Sequence, residues 1–367
     1  MSSNKRIFYA CQGVAIADIG TSGYSVSNMV HGIQSLSTNT TFNPEQAFEY
    51  GQIEIYENIE GTPDVEITIE KAIDGYPLIY HMASTGVAGK SASSSGISGR
   101  SKEQCDLRLG IFDEAALNIG GAGGAAEVEV FCSGMFIGSI SYSIPVEGFC
   151  TESVTLQGNN KVWLSEGAGE ISATLADEFD GNDSPLAQGI PSSPSGGIQR
   201  REDVILGDCI LPVVIDGVVG SGVGNGIVAG EPLVHLQSIS ISTDFSREDI
   251  LELGRKTPYY RPAGFPIEVT CEIEAITTSG DFVTAYEDGD PALYNTVDSG
   301  NNTSEQNIFI RLRGGHAFDL GSRNRISSVT YGGGDATGGN VSTTYSFTNF
   351  NDLDVQWEGD YIGFNSI

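Results

Sequence analysis

Basic residues are scarce: 18 Lys plus Arg stand against 48 Asp plus Glu, a formal net charge of −30. A protein that neutralises nucleic-acid phosphates needs clustered Lys and Arg, so this chain is expected to be soluble and to be repelled by DNA. The adjacent Arg200-Arg201 in "GIQRRED" reads as a linker or interface feature. Long apolar runs are also lacking. None approaches the roughly 20 residues of a membrane helix, and no membrane partner is expected. Cysteine is sparse: Cys11, Cys105, Cys132, Cys150, Cys209 and Cys271 show no C-x-x-C spacing, which argues against a disulfide scaffold and for buried, reduced thiols. Tryptophan occurs only at Trp163 and Trp357. That is little for the exposed aromatic platforms of a two-domain carbohydrate-binding β-sandwich, the alternative reading from another class.

Catalytic signatures are missing as well. There is no G-x-S-x-G, no H-E-x-x-H and no His cluster at metal spacing. "GKS" at Gly89 to Ser91 lacks the upstream glycine of a phosphate loop, because Ser84 stands there. "EDGD" in the second repeat lacks the acid spacing of a calcium loop. Carboxylates are so numerous that no glycosidase pair stands out. His31 and His235 sit at nearly equivalent repeat positions, which favours a structural role, and His81 and His316 are isolated. N-x-S/T matches such as Asn39 and Asn340 are expected by chance in a chain this rich in Asn, Ser and Thr. No enzyme, cofactor or metal is expected. Lys5 and Arg6 before "IFYACQGVAIA" imitate a signal peptide only loosely, and that stretch and "DVILGDCILPVVIDG" both read as the first strand of a domain.

What the chain does have is an internal repeat. "VHGIQSLSTNTTFNPEQAFEYG" returns about 203 positions later as "VHLQSISISTDFSREDILELG". Gln34 aligns with Gln237, Ser35 with Ser238, Phe42 with Phe245, Glu45 with Glu248, Glu49 with Glu252, Gly51 with Gly254 and Tyr56 with Tyr259. With a one-residue slip, "VEITIE" lies on "IEVTCE"; further on, "LRL" meets "IRL", Tyr142 meets Tyr345, and "VTLQGN" meets "VQWEGD". Each copy covers roughly 155 to 165 residues, a normal domain size.

Both copies predict the same local structure. Asn43 as N-cap, Pro44 at the first helical position and Gly51 as terminator predict a two-turn helix; Ser246 and Gly254 frame its counterpart. Val65, Ile67 and Ile69 alternate with Glu66, Thr68 and Glu70, the period of a strand with one buried face. Ile267, Val269, Cys271 and Ile273 repeat the pattern. Asp74-Gly75 reads as a turn into "YPLIYHM", and Ser279-Gly280 as a turn into "DFVTAY". "AAEVEVF", "FIGSISYSI", "NIFIRL" and "VSTTYSF" read as strands. The expected fold is mainly β: two tandem sandwich or barrel domains, each with one short helix. Residues 1–163 form the first domain, 164–200 a Ser/Pro/Gly/acid-rich linker and 201–367 the second.

The run "GIQSLSTNTTFNPEQAFEYGQIEIYENIEGTPDVEITIEKAIDGYPLIY", with the downstream "YSIPVEGFCTESVTLQGNNKVW", resembles the tail tube proteins of long-tailed bacteriophages. The second copy keeps the helix pattern and first strands but ends differently, in "NDLDVQWEGDYIGF". The resemblance implies tube domains, six to a ring, with rings stacked into a hollow conduit in the virion tail, assembled in the host cytoplasm. A chain with two such domains implies trimeric rings. Implied partners are further copies of the chain and other tail proteins, namely terminator, baseplate and a sheath. A low-copy initiator, terminator or baseplate part of the same fold is the alternative. In a ring, Glu66, Glu70, Glu268 and Glu272 are expected to face the lumen, where DNA passes as cargo that does not stick.

Overall fold

The computed structural model describes residues 7, 12–24, 28–85, 96–112, 126–165, 168–171, 197–212, 215, 235–276, 283, 305–332 and 340–357. Among them the chain is mainly β, as expected. Alternation decides the central strands. In β5 (Pro63–Ala72), Val65, Ile67 and Ile69 are buried while Glu66 is exposed, and β11 (Glu268–Ile276) alternates in the same way.

Two four-stranded antiparallel arrays are built on one plan. The first runs β2 (Ile33–Phe42), β5, β8 (Thr151–Gly158) and the second part of β7 (Val128–Pro145); the second runs β10 (His235–Asp244), β11, β15 (Ser342–Phe350) and β14 (Arg325–Gly332). Antiparallel pairing of β7 with β10 joins them into one sheet of order β14-β15-β11-β10-β7-β8-β5-β2. The irregularities correspond too. A bulge leaves Gln34 unmatched between Ile33 and Ser35, and another leaves Gln237 unmatched between Leu236 and Ser238. Both side chains turn back on the backbone, Gln34 Nε2 donating to Gly32 O at 3.1 Å and Gln237 Nε2 to His235 O at 3.2 Å. On the outer pairs, the register shifts at Ile137/Ser139 of β7 and at Ile326/Ser328 of β14.

These pairings correct part of the repeat alignment. Leu36 faces Ile69 as Ile239 faces Ile273, so "VEITIE" corresponds to "VTCEIE" rather than to "IEVTCE". Ile69 then faces Val154 as Ile273 faces Tyr345, which makes β15 the counterpart of β8 and Tyr331, not Tyr345, the counterpart of Tyr142. "VQWEGD" belongs instead with β16 (Asp354–Trp357), the counterpart of β9 (Val162–Ser165). Alternating strands match one another at any even shift, so hydrophobic pattern alone cannot choose. The "LRL" and "IRL" match survives: β6 (Cys105–Ile111) pairs with the first part of β7 as β12 (Phe309–Arg311) pairs with β13 (His316–Asp319).

The two expected helices are absent. Asn43 and Gly51 do not cap a helix; Glu45–Phe48 forms β3, which pairs with β4 (Ile55–Ile59) in a projecting hairpin. Ser246 and Gly254 frame a second arm of the same path, closed by the Ile250–Tyr260 bridge. Two turns of helix are marginal on capping alone, and the returning segment supplies partners in their place. Gly51 and Gly254 both take φ +92°, the left-handed turn for which glycine is suited. Helix forms elsewhere, as α1 (Ile79–Thr85) and α2 (Ile97–Arg100). "YPLIYHM" is thus largely helical rather than a strand, because the Glu152 carboxylate accepts the Ile79 and Tyr80 N–H groups at 2.6 and 3.1 Å. Gln12–Asp18 forms β1 as read. The stretch read as its counterpart differs: among its described residues, "DVILGDCILPVVIDG" makes short 3-10 turns and single bridges at Val204 and Ile210, with Pro212 following. Most of the loop from Ala83 to Gly99, "EDGD", and "DFVTAY" apart from Val283 lie outside the described residues.

One apolar core runs through both arrays, from Ile67, Ile69 and Val154 through Ile140 and Tyr142 to Ile241, Cys271 and Phe347. Gln199, within the expected linker, is buried; its carbonyl accepts Cys150 N–H and its Oε1 accepts Gly314 N–H.

Candidate assembly surface

The face of the sheet opposite the core is written in hydroxyls and carboxylates. Reading the register across all eight strands gives one row: Ser35, Glu70, Ser153, Ser141, Ser242, Thr270, Thr348 and Arg325. A parallel row runs Thr151, Ser143, Ser240, Glu272, Ser346 and Ser328. Period-two alternation puts Glu66 and Glu268 on this face as well. All four acids singled out from sequence therefore share one side of one sheet.

Local hydrogen bonds hold several of these groups in place. Ser35 Oγ donates to Glu70 at 3.2 Å and its counterpart Ser238 Oγ donates to Glu274 at 3.3 Å. Ser346 Oγ donates to Glu272 at 3.4 Å, and the Thr68 and Thr155 hydroxyls lie 3.2 Å apart. Glu274, not Glu272, is therefore the counterpart of Glu70. The sequence signal that would have found it is the paired bulge residue, Gln34 and Gln237. In the two rows the one cation is Arg325, at the rim.

Both rims are open: among the described residues no strand pairs with the outer flank of β2 or of β14. Their exposure contrasts with the internal seam. Phe245, at the end of β10, is 1 % exposed and donates its N–H to Gly138 O of β7, whereas its counterpart Phe42 is 71 % exposed. Tyr142 on β7 is buried, and its counterpart Tyr331 on β14 is 50 % exposed. Beside the β2 rim projects the first arm, carrying exposed Phe48, Tyr50, Ile53 and Tyr56; the second arm, which follows β10 at the seam, carries exposed Leu251, Leu253 and Tyr259.

The seam is also tied by charge. Arg247 of the second arm lies over Phe136 at 4.7 Å and Phe245 at 5.4 Å, and donates to the Ile137, Ser101 and Arg261 carbonyls. Burial lowers its pKa to about 10. Arg261 bridges Asp249 and Asp64, and Lys256 meets Glu60 at 3.0 Å.

At the end of β5 lies a buried polar cluster. Lys71 Nζ donates to Asp74 at 2.7 Å, and the other Asp74 oxygen meets His31 Nδ1 at 2.5 Å. Burial pushes the Asp74 carboxyl upward, but Lys71 and His31 outweigh it and hold the group well below the usual carboxylate range. Glu152 is pushed up to about 7 by burial, against the Tyr80 and Ile79 N–H groups that favour its ionised form. The fold brings His81 and His316 near enough to influence each other, correcting their apparent isolation; burial lowers both, His316 to about 3. Trp357 is used internally, its Nε1 donating to Gly75 O, while Trp163 is exposed beneath Lys161. Five described cysteines are buried free thiols, with burial raising their pKa values, Cys132 and Cys209 to about 11. Cys11 lies outside the described residues. Among the described residues no group of three or more His, Cys, Asp or Glu is placed to hold a metal, and no helix is long and apolar enough to cross a membrane.

No family model and no curated protein matches the chain. Solved structures similar to part of it include the tube-terminating cap of the anti-feeding prophage, at 13% identity and a TM-score of 0.30, covering 45% of this chain and 95% of that one. The sheath-tube complex of the PVC extracellular contractile injection system, in its extended state, shows 11% identity and a TM-score of 0.31, covering 44% of this chain and 93% of that one. The anti-feeding prophage baseplate shows 9% identity and a TM-score of 0.30, covering 45% and 98%. Overlap at this level is too slight to assign a role to this chain.

Proposed function

We propose that this chain is a structural subunit of a phage-tail-like tube. Three copies close a ring of six tube domains, one from residues 1–163 and one from 201–367 of each copy, and rings stack into a hollow conduit through which DNA is delivered. The observation that carries this reading is the internal seam. β7 and β10 pair within the chain, and β14 and β2, the unpaired rims, are their counterparts. Pairing β14 of one copy with β2 of the next repeats the seam. A head-to-tail junction of this kind forms a ring when its rotation closes, and closure removes both open edges.

With the apolar core facing outward from the bore, the Ser/Thr/Glu face becomes the lumen. Glu66, Glu70, Glu268, Glu272 and Glu274 then line it with negative charge, which keeps passing phosphates from adhering. The resemblance in sequence to tail tube proteins points the same way, to a virion tail location and to terminator, baseplate and sheath partners. Negative-stain electron microscopy of the purified protein over a range of concentrations, beside sedimentation, tests the reading. Hollow stacked rings with three chains per ring are the expected result. Rings that never stack would make the chain a low-copy initiator, terminator or baseplate part, and monomers at every concentration would overturn self-assembly.

A further inference from the structure

The seam and the rims share a backbone plan, so the contacts of one can be carried, residue by residue, onto the other. The β7 pairing with β10 places Ser141 opposite Ser242 and Tyr142 opposite Ile241. Their counterparts place Thr330 of one copy opposite Asn39 of the next, and Tyr331 opposite Thr38. Along the arms the counterparts are fixed by the Ala47–Glu57 pair and the Ile250–Tyr260 bridge. Tyr260 thus corresponds to Glu57, Arg247 to Pro44 and Lys256 to Ile53.

The chemistry changes at those positions. In the seam Phe136 packs edge-on to Tyr260, with ring centroids 6.1 Å apart, and the Arg247 guanidinium fills the space between Phe136 and Phe245. At the rim the counterpart of Phe136 is Arg325, that of Tyr260 is Glu57, and that of Phe245 is Phe42. No arginine stands at the counterpart of Arg247. We infer that Arg325 of one copy supplies the missing guanidinium, pairing with Glu57 and covering Phe42 of the next copy. The cation then comes from the strand where the seam takes it from the arm, and an aromatic pair is replaced by an ion pair. Arg325 is available for this: its side chain is 69 % exposed and, among the described residues, its one ion-pair partner, Glu305, lies 3.6 Å away at the surface. The seam's Lys256–Glu60 pair is replaced in turn by Ile53, 101 % exposed, which the same correspondence sets against Ala263 and the exposed Phe265 of the other copy. Because the two junctions differ in polarity, a rim fits another rim and not a seam strand, which fixes the alternation of domains around the ring.

This inference rests on the edge-pairing reading of the proposed function, and its test separates the two. The full chain is prepared as Arg325→Glu, as Glu57→Arg and as the double reversal, and the concentration for half-assembly is read by sedimentation. Circular dichroism checks the fold, which exposed substitutions leave intact. Each variant is also made with Asn39→Cys and Thr330→Cys, which strand pairing brings within disulfide range. Each single reversal is expected to raise the half-assembly concentration about tenfold or more, and the double reversal to return it to within about threefold. Single reversals that assemble like the wild type, or a double reversal that rescues nothing, while the disulfide still links copies, would overturn the Arg325 contact and leave edge pairing standing. Assembly without any disulfide between copies would overturn edge pairing itself.

Discussion

Phe245 and Phe42 occupy the same place at the foot of an arm, yet one is 1 % exposed and the other 71 %. The backbone around them is alike, down to the bulges at Gln34 and Gln237 and the left-handed glycines at the arm tips. The difference lies in what each meets. Phe245 has β7 and Arg247 against it; among the described residues Phe42 has neither a strand on its outer flank nor a cation over it. The arms differ in the same sense. Residues 43–62 carry Glu45, Glu49, Glu54, Glu57 and Glu60 with no Lys or Arg, whereas residues 246–265 carry Arg247, Arg255, Lys256 and Arg261. On the proposed reading, the seam is a completed junction and the rims are the two halves of an uncompleted one. Exposed aromatics on a flat, unpaired edge are an aggregation hazard unless a defined partner covers them.

The comparison breaks most visibly at Phe245. Phe245→Ala empties a fully buried site at the seam and is expected to cost about 3–5 kcal/mol of stability, read as a lower denaturation midpoint of the unassembled chain. A loss below about 1 kcal/mol would mean that the seam is not cooperative with the rest of the core. Arg247→Ala follows. It strips a charged donor from the Ile137, Ser101 and Arg261 carbonyls, and a loss of about 2–3 kcal/mol is expected. Arg247→Lys should recover only part of this, because an ammonium cannot span the carbonyls and lie flat over Phe136.

A pH titration tests the core that the two arrays share, because it holds buried ionisable groups. Glu152 is raised from 4.5 to about 7, so the folded chain binds the extra proton in that window, and Glu152 contributes stability as the pH falls through it. His316 is lowered from 6.5 to about 3, with Lys71 and Asp74 near it, and its contribution is lost as the pH falls below 6.5. The two oppose each other between pH 6.5 and 4.5. Glu152→Gln removes one side of that balance, so acidification from pH 7 to 4.5 should lower the melting temperature of the variant more steeply than that of the wild type. Parallel curves would show that Glu152 does not take up its proton in the folded chain.

Much of this architecture was legible in the sequence, and the misreadings have physical causes. The repeat was visible because Gln, Ser, Phe and Gly recur where a bulge, a strand end and a left-handed turn need them. Strand identity was visible through alternation at Val65 to Glu70. Register was not, since an alternating strand matches its counterpart at every even shift, and only the pairings distinguish Glu274 from Glu272 as the partner position of Glu70. The arms were misread because Asn43, Pro44 and Gly51 are as suitable for a turn and a hairpin tip as for helix ends. Nothing local revealed that residues 55–59 would return to pair. The acids on the polar face could be named from alternation alone, but the seam joining two arrays into one surface is a contact between β7 and β10, distant in sequence, and carries no local signature.

The smallest effect on the isolated chain is expected where the sequence repeat is clearest. Phe42→Ala removes the same side chain as Phe245→Ala, but from a largely exposed position. Its effect on the stability of the unassembled chain should stay within about 0.5 kcal/mol. Its effect on assembly should be far larger, because burial of an aromatic ring is gained only when the next copy arrives. Denaturant unfolding at low concentration and sedimentation at high concentration read the two quantities on one preparation. If Phe42→Ala destabilises the monomer as Phe245→Ala does, the two sites are not a filled and an empty version of one junction. If it leaves both quantities unchanged, β2 is not the edge through which copies meet.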